Sequence, residues 1–79
     1  MKHRLLIVED EQTLRDSLQR VFARDGYRVD VTDTAEEGLD LTRDRFYDVI
    51  ISDIMLPGMD GIEMLARVRE QDPDQTFIV

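Results

Sequence analysis

Two short apolar runs each end in acids: Leu5-Leu6-Ile7-Val8 leads into Glu9-Asp10-Glu11, and Val49-Ile50-Ile51-Ser52 leads into Asp53. Carboxylates at such positions can act as nucleophiles, as proton carriers or as ligands for a hard metal ion. Which chemistry is open depends on whether they meet. Two carboxylates about 4 Å apart repel by roughly 4 kcal/mol at an effective dielectric of 20. That is a large share of the ~5–15 kcal/mol that keeps a small domain folded. A cluster of this kind needs a protonated member, a basic neighbour or a cation. Neither acidic loop contains Lys or Arg, so a divalent cation is the economical answer. Oxygen-only ligands favour Mg2+, with Mn2+ as the alternative, over zinc.

The elements that position these acids follow from the pattern around them. Val49 to Ile51 is too short for a typical helix and is β-branched, so it reads as a buried strand that delivers Asp53 to its carboxyl end. Pro57, Gly58 and Gly61 then force a loop before the next helix. If Leu5–Val8 is a neighbouring parallel strand, Glu9, Asp10 and Asp53 converge at one edge of the sheet, the end where open parallel sheets bind ligands. Asp10 could alternatively cap the helix that follows. Glu11 reads as a first-turn acid favoured by the helix dipole, and Asp60 as a cap.

The periodicity predicts a first helix from about Glu11 to Arg24, with Leu14, Leu18, Val21 and Phe22 as its buried stripe. Gly26 suits the left-handed position just past its end. Tyr27, Val29 and Val31 alternate with Arg28 and Asp30 as in a half-exposed edge strand. Thr34-Ala35-Glu36-Glu37 has the capping-box pattern and opens a second helix, with Ala35 and Leu39 inward and Gly38 allowing close approach to the sheet. A third helix spans roughly Gly61 to Gln71, with Ile62, Leu65, Ala66 and Val68 inward, and Asp72-Pro73 stops it. Thr76 to Val79 begins a fourth strand. This alternation implies right-handed crossovers and a parallel α/β sheet.

At this point the sequence resembles a known family. Leu5-Leu6-Ile7-Val8-Glu9-Asp10-Glu11, followed by Asp53-Ile54-Met55-Leu56-Pro57-Gly58-Met59-Asp60-Gly61, is similar to the receiver domain of two-component response regulators. The resemblance implies a flavodoxin-like fold with strand order 2-1-3-4-5. It implies that Asp53 accepts a phosphoryl group as an acyl phosphate, for which an aspartate nucleophile needs no separate base at neutral pH. It further implies that Glu9, Asp10 and Asp53 bind Mg2+ together with the backbone carbonyl of Met55, while Pro57 and Gly61 shape the loop. The implied partner is a sensor histidine kinase or phosphotransfer protein, docking on the first helix and the Pro57 loop. Thr13 and Arg15 are exposed there and could serve either partner choice or plain solvent contact.

Seventy-nine residues allow one small domain, and 42% hydrophobic with 35% charged residues suits a globular piece. The net charge of −8 argues against a grip on nucleic acid. No run is long enough for a signal peptide or membrane span, and no cysteine is present, so a cytoplasmic location is expected. His3, the only histidine, precedes the first strand and reads as a solvated residue.

Residues 1–79 are expected to form an incomplete receiver domain, reaching only into the fourth strand. The family's Ser or Thr after strand 4 and its Lys after strand 5 fall outside it, and Lys2 lies at the wrong end of strand 1 to replace the latter. Phe77, Ile78 and Val79 would then border an open edge, an invitation to self-association. Two other functions compete with the signalling switch. One is a receiver-like module that binds partners without phosphorylation. The other is a Mg2+-dependent aspartyl phosphohydrolase, which would want an aspartate where Met55 stands.

Overall fold

β1 (Arg4–Val8), α1 (Gln12–Arg24), β2 (Arg28–Thr32), α2 (Ala35–Asp44), β3 (Val49–Ser52), α3 (Gly61–Gln71) and β4 (Thr76–Ile78) alternate along the chain. The structure is a computed structural model and describes residues 2–79. All strand pairs are parallel, in the order β2-β1-β3-β4, the first four positions of the order implied by the resemblance. The chain leaves β1 toward β2 and later leaves β3 toward β4. The two connections therefore diverge above β1 and β3 and open a crevice at their carboxyl ends.

Period-two alternation sends Leu6, Val8 and Ile50 to one face of the sheet, where Ala35, Leu39, Tyr47, Leu56, Met64 and Val68 complete the core. Leu5 and Ile7, also fully buried, point to the other face, against which α1 packs. Gly38 lets α2 sit close: a Cβ there would come within 2.8 Å of Met64 Cε and 3.1 Å of Val8 Cγ2. Among the described residues no helix is long and apolar enough to cross a membrane.

Several expectations need correction. α1 starts at Gln12, and Glu11 is its N-cap, accepting from the Leu14 N–H, so it is not a first-turn acid. The α1 stripe is less covered than its pattern predicts: Leu18 and Phe22 are half-buried, while Leu14 and Val21 are 47% and 53% exposed. α1 has one sheet face to itself among the described residues, whereas α2 and α3 cover each other on the opposite face. In α3 the buried face is Gly61, Met64 and Val68, with Leu65 at its margin and Ile62 and Ala66 exposed. The third-helix stripe is thus rotated toward Met64, whose flexible thioether fills the space beside Gly38. His3 is exposed as expected, but its Nδ1 lies 3.6 Å from Asp48 Oδ2.

Candidate functional site

β1 and β3 are paired in register, with Val8 opposite Ser52, so Glu9 and Asp53 are the next residues out on adjacent strands. The backbone ladder continues through both: Glu9 N–H donates to Thr32 O at 3.0 Å and Asp53 N–H to Val8 O at 3.0 Å. This fixes where the two side chains emerge. Glu9, Asp10 and Asp53 each present a carboxylate oxygen, and the three oxygens lie within 4.8 Å of one another. The acidic convergence predicted from the sequence is therefore what the strands produce.

The three acids sit in different surroundings. Glu9 is buried, Asp53 half-buried and Asp10 exposed. Burial pushes the Glu9 carboxyl above its ordinary range; the Glu11 N–H opposes this, and the nearby charges of Asp53 and Asp10 reinforce it. That Glu11 N–H donates to Glu9 Oε2 at 3.0 Å. Because Glu11 takes the capping role, Asp10 is not needed to start α1, and its side chain is available to the pocket. Two unit charges 4.8 Å apart still repel by about 3–4 kcal/mol at an effective dielectric of 20.

Arg15 occupies a place the sequence did not suggest. It is half-buried rather than exposed, and its Nη1 donates to Glu9 O at 3.0 Å and, more weakly, to Asp10 O at 3.4 Å. The guanidinium thus binds the carbonyl edge of the acidic loop. Glu9 lies outside α1 and six residues before Arg15, a separation with no local signature for this contact. Thr13 stays exposed.

The β3–α3 loop is held by its own residues and by one neighbour, Glu36 of α2. Met55 N–H donates to Asp53 Oδ1 at 3.3 Å, which orients the aspartate; the Met55 side chain is 78% exposed and points away from any ligand role. Gly61 N–H closes the loop on Ile54 O at 2.9 Å. Asp60 caps α3 through the Glu63 N–H at 2.8 Å, as predicted. Pro57 is exposed, while Leu56 beside it is buried and anchors the loop in the core. From α2, Glu36 Oε2 accepts the Met59 N–H at 3.3 Å beside Gly58, whose φ of +72° favours glycine. The Glu36 contact is long-range and carried no local signature.

The donor set fits a hard divalent cation: three carboxylates, no nitrogen or sulfur, and no guanidinium paired with any of them among the described residues. A carboxylate in such a pocket can serve as a metal ligand or as a nucleophile.

The comparisons with known proteins agree with this geometry. The family described as response regulator receiver domain matches residues 5–79. Transcriptional regulatory protein AfsQ1 of Streptomyces coelicolor is 41% identical over 68 residues, which cover 86% of this chain and 30% of that protein. Response regulator ArlR of Staphylococcus aureus is 37% identical over 75 residues, 95% of this chain and 34% of that protein. The chain thus spans about a third of the length of these relatives. Response regulator TrrA of Thermotoga maritima, solved in complex with Mg2+-BeF, superposes with a TM-score of 0.94 at 34% identity, over 100% of this chain and 68% of that one. TrrA in complex with the histidine kinase ThkA superposes at 0.90, again at 34% identity, over 98% and 66% of the two chains.

Proposed function

The chain belongs to the response regulator receiver domain family, and from that premise we propose that it is a phosphoacceptor switch that takes a phosphoryl group onto Asp53 from a histidine kinase or phosphotransfer protein. The observation that carries this reading is the meeting of the Glu9, Asp10 and Asp53 carboxylates within 4.8 Å at the crevice above β1 and β3. Mg2+, or Mn2+, would be held by these three side chains and the backbone carbonyl of Met55. When bound, the ion supplies positive charge that offsets both the carboxylates and the oxygens of the transferring group.

The chain's own residues supply the rest. An Asp53 carboxylate oxygen attacks phosphorus; an O–P bond forms as the P–N bond to the donor histidine breaks, and the leaving nitrogen takes up a proton. Met55 N–H holds the attacking carboxylate, and Arg15 fixes the loop bearing Glu9 and Asp10 through their carbonyls. Pro57 and Gly61 keep the β3–α3 loop short and close to Asp53. This is a signalling domain rather than a turnover enzyme: the phosphoryl group stays on the protein as the signal.

The kinase partner is supported by the solved complex of TrrA with ThkA and by exposed apolar Leu14, Ile54 and Met55 around the pocket. A cytoplasmic setting follows from that partnership. Residues 1–79 would form the first part of the receiver domain, with control of transcription exerted by a separate effector region, as the name of AfsQ1 suggests by analogy.

The test is treatment of the full-length protein with a small phosphodonor, read by intact mass. One phosphoryl addition that disappears in Asp53→Asn is expected; addition that survives the substitution rejects this acceptor. Kinase binding without phosphorylation would instead favour an interaction module. The phosphohydrolase reading lacks its second aspartate, since Met55 stands there with an exposed side chain.

A further inference from the structure

The amino-terminal end of the sheet carries the opposite charge from the acidic pocket. Arg4 on β1 and Arg28 on β2 are register partners, so their side chains leave the same face of the sheet side by side. Like charges directly opposed on neighbouring strands are destabilising. Among the described residues neither guanidinium has an ion-pair partner. Arg45, just past α2, adds a third, and these three arginines with Asp30 line a cavity of about 340 Å3. Asp30 is the one acid in the lining, and its Oδ2 accepts from Arg45 Nη1 at 3.1 Å and from the Tyr47 hydroxyl at 2.6 Å; Asp48, outside the lining, accepts the Arg4 backbone N–H at 2.7 Å. The cavity is left with two positive charges in excess, in a chain whose net charge is −8.

We propose that this cavity binds a compact, multiply charged oxyanion of the phosphate class. Planar guanidinium forks match phosphate oxygens and keep their charge at any working pH. The volume lies within the range of small-ligand pockets, about 300–1,000 Å3. The lining is three arginines and one aspartate, with no apolar or aromatic wall to hold a nucleoside or a lipid tail, so the recognised part is the phosphate itself. An anion seated between Arg4 and Arg28 would convert their mutual repulsion into shared attraction, and would tie β1 to β2 and, through Arg45, to the end of α2. The cavity is separate from the acidic pocket: Arg4 and Glu9 lie at opposite ends of β1, about 15–17 Å apart along a strand.

Inorganic pyrophosphate titrated into the full-length protein in EDTA, at constant ionic strength, is the direct test. Calorimetry should show saturable binding, and Tm should rise by about 4–8 °C once free pyrophosphate exceeds Kd about fivefold. Arg28→Gln, at an exposed position, should weaken binding by at least about tenfold, and Arg28→Lys, which keeps the charge but not the fork, should fall between. Asp53→Asn should bind pyrophosphate like the wild type, so failure of the phosphoacceptor reading leaves this result unaffected. Equal affinity in wild type and both Arg28 variants would overturn the proposal, as would loss of binding in Asp53→Asn or no saturable binding. An ADP arm with affinity well above that of pyrophosphate would overturn the claim that phosphate alone is recognised.

Discussion

Gly61 lies so close to Asp53 that a Cβ added to it would come within 2.1 Å of the Asp53 carbonyl oxygen. The obstacle is the backbone of Asp53 itself, so it cannot swing aside as a side chain would. Gly61→Ala should therefore push the β3–α3 loop off Asp53 at a cost of about 1–3 kcal/mol. Each kcal/mol lowers Tm by about 4–8 °C in a domain of this size. A thermal melt measures the cost directly, and phosphodonor labelling should fall with it. An unchanged melt would mean the loop has slack that the structure does not suggest.

Metal addition should stabilise the folded chain, because a ligand that binds only the native state adds RT ln(1 + [L]/Kd), about 2.7 kcal/mol at a hundred times Kd. We expect Mg2+ to raise Tm, and Asp10→Asn to remove most of the effect while leaving the metal-free melt close to that of the wild type. Asp10 is exposed and caps nothing, so its loss should have little structural cost of its own. An unaltered response to Mg2+ in that variant would contradict the assignment of Asp10.

Tyr47 provides a pH test away from the pocket. Burial first, then the hydrogen bond to Asp30 and its negative charge, push the phenol well above its ordinary value of 10.0. A group whose folded pKa is raised contributes stability that is fully present below its unfolded pKa and is lost as pH climbs through the folded one. Tyr47→Phe should cost about 1–2 kcal/mol at neutral pH through the lost hydrogen bond to Asp30. The gap between variant and wild type should narrow above about pH 10. Denaturant melts at neutral and alkaline pH read both halves of this expectation.

Gln75 staples the start of β4 to β3. It is buried, and its Nε2 donates to Tyr47 O at 3.0 Å and to Thr76 O at 3.1 Å. Gln75→Leu keeps the volume but strands the buried Tyr47 carbonyl, a penalty of about 1–3 kcal/mol. Hydrogen exchange should show the loss concentrated in β4 and the start of β3 rather than in β1.

Much of this was readable in the chain itself because the decisive signals are local. The β-branched run before Asp53, the Thr34 cap and the Pro57–Gly61 loop each act over a few residues, and α3 falls on Gly61–Gln71 as its pattern predicts. The pairing of β1 with β3 followed from crossover rules together with the family resemblance. What the pattern misjudged was partnership. The α1 stripe has the right period, but period does not reveal how much of a helix its neighbours cover. Ile62 and Met64 are both apolar; Met64 shares a helical face with Gly61 and Val68 and packs beside Gly38, while Ile62 lies off that face. Arg15, Glu36 and Gln75 make their contacts across folds of the backbone, to groups 6, 23 and 28 positions away. Thr34 caps α2 as the capping box requires, yet Glu37 does not reach back to complete it; its carboxylate accepts from the Thr32 hydroxyl instead. A buried strand residue offering a hydroxyl outcompetes a backbone amide open to water.

Glu9 and Asp53 are simply the next rungs of the ladder that pairs Val8 with Ser52, and that has a consequence for how the molecule can fail. Slipping β3 by one residue against β1 would turn Asp53 to the opposite face from Glu9 and carry Ile50 away from the core face that Leu6 still occupies. The acidic cradle and the packing of Ile50 therefore depend on the same register. If the three carboxylates bind Mg2+ as proposed, that binding would report on the native pairing of β1 with β3.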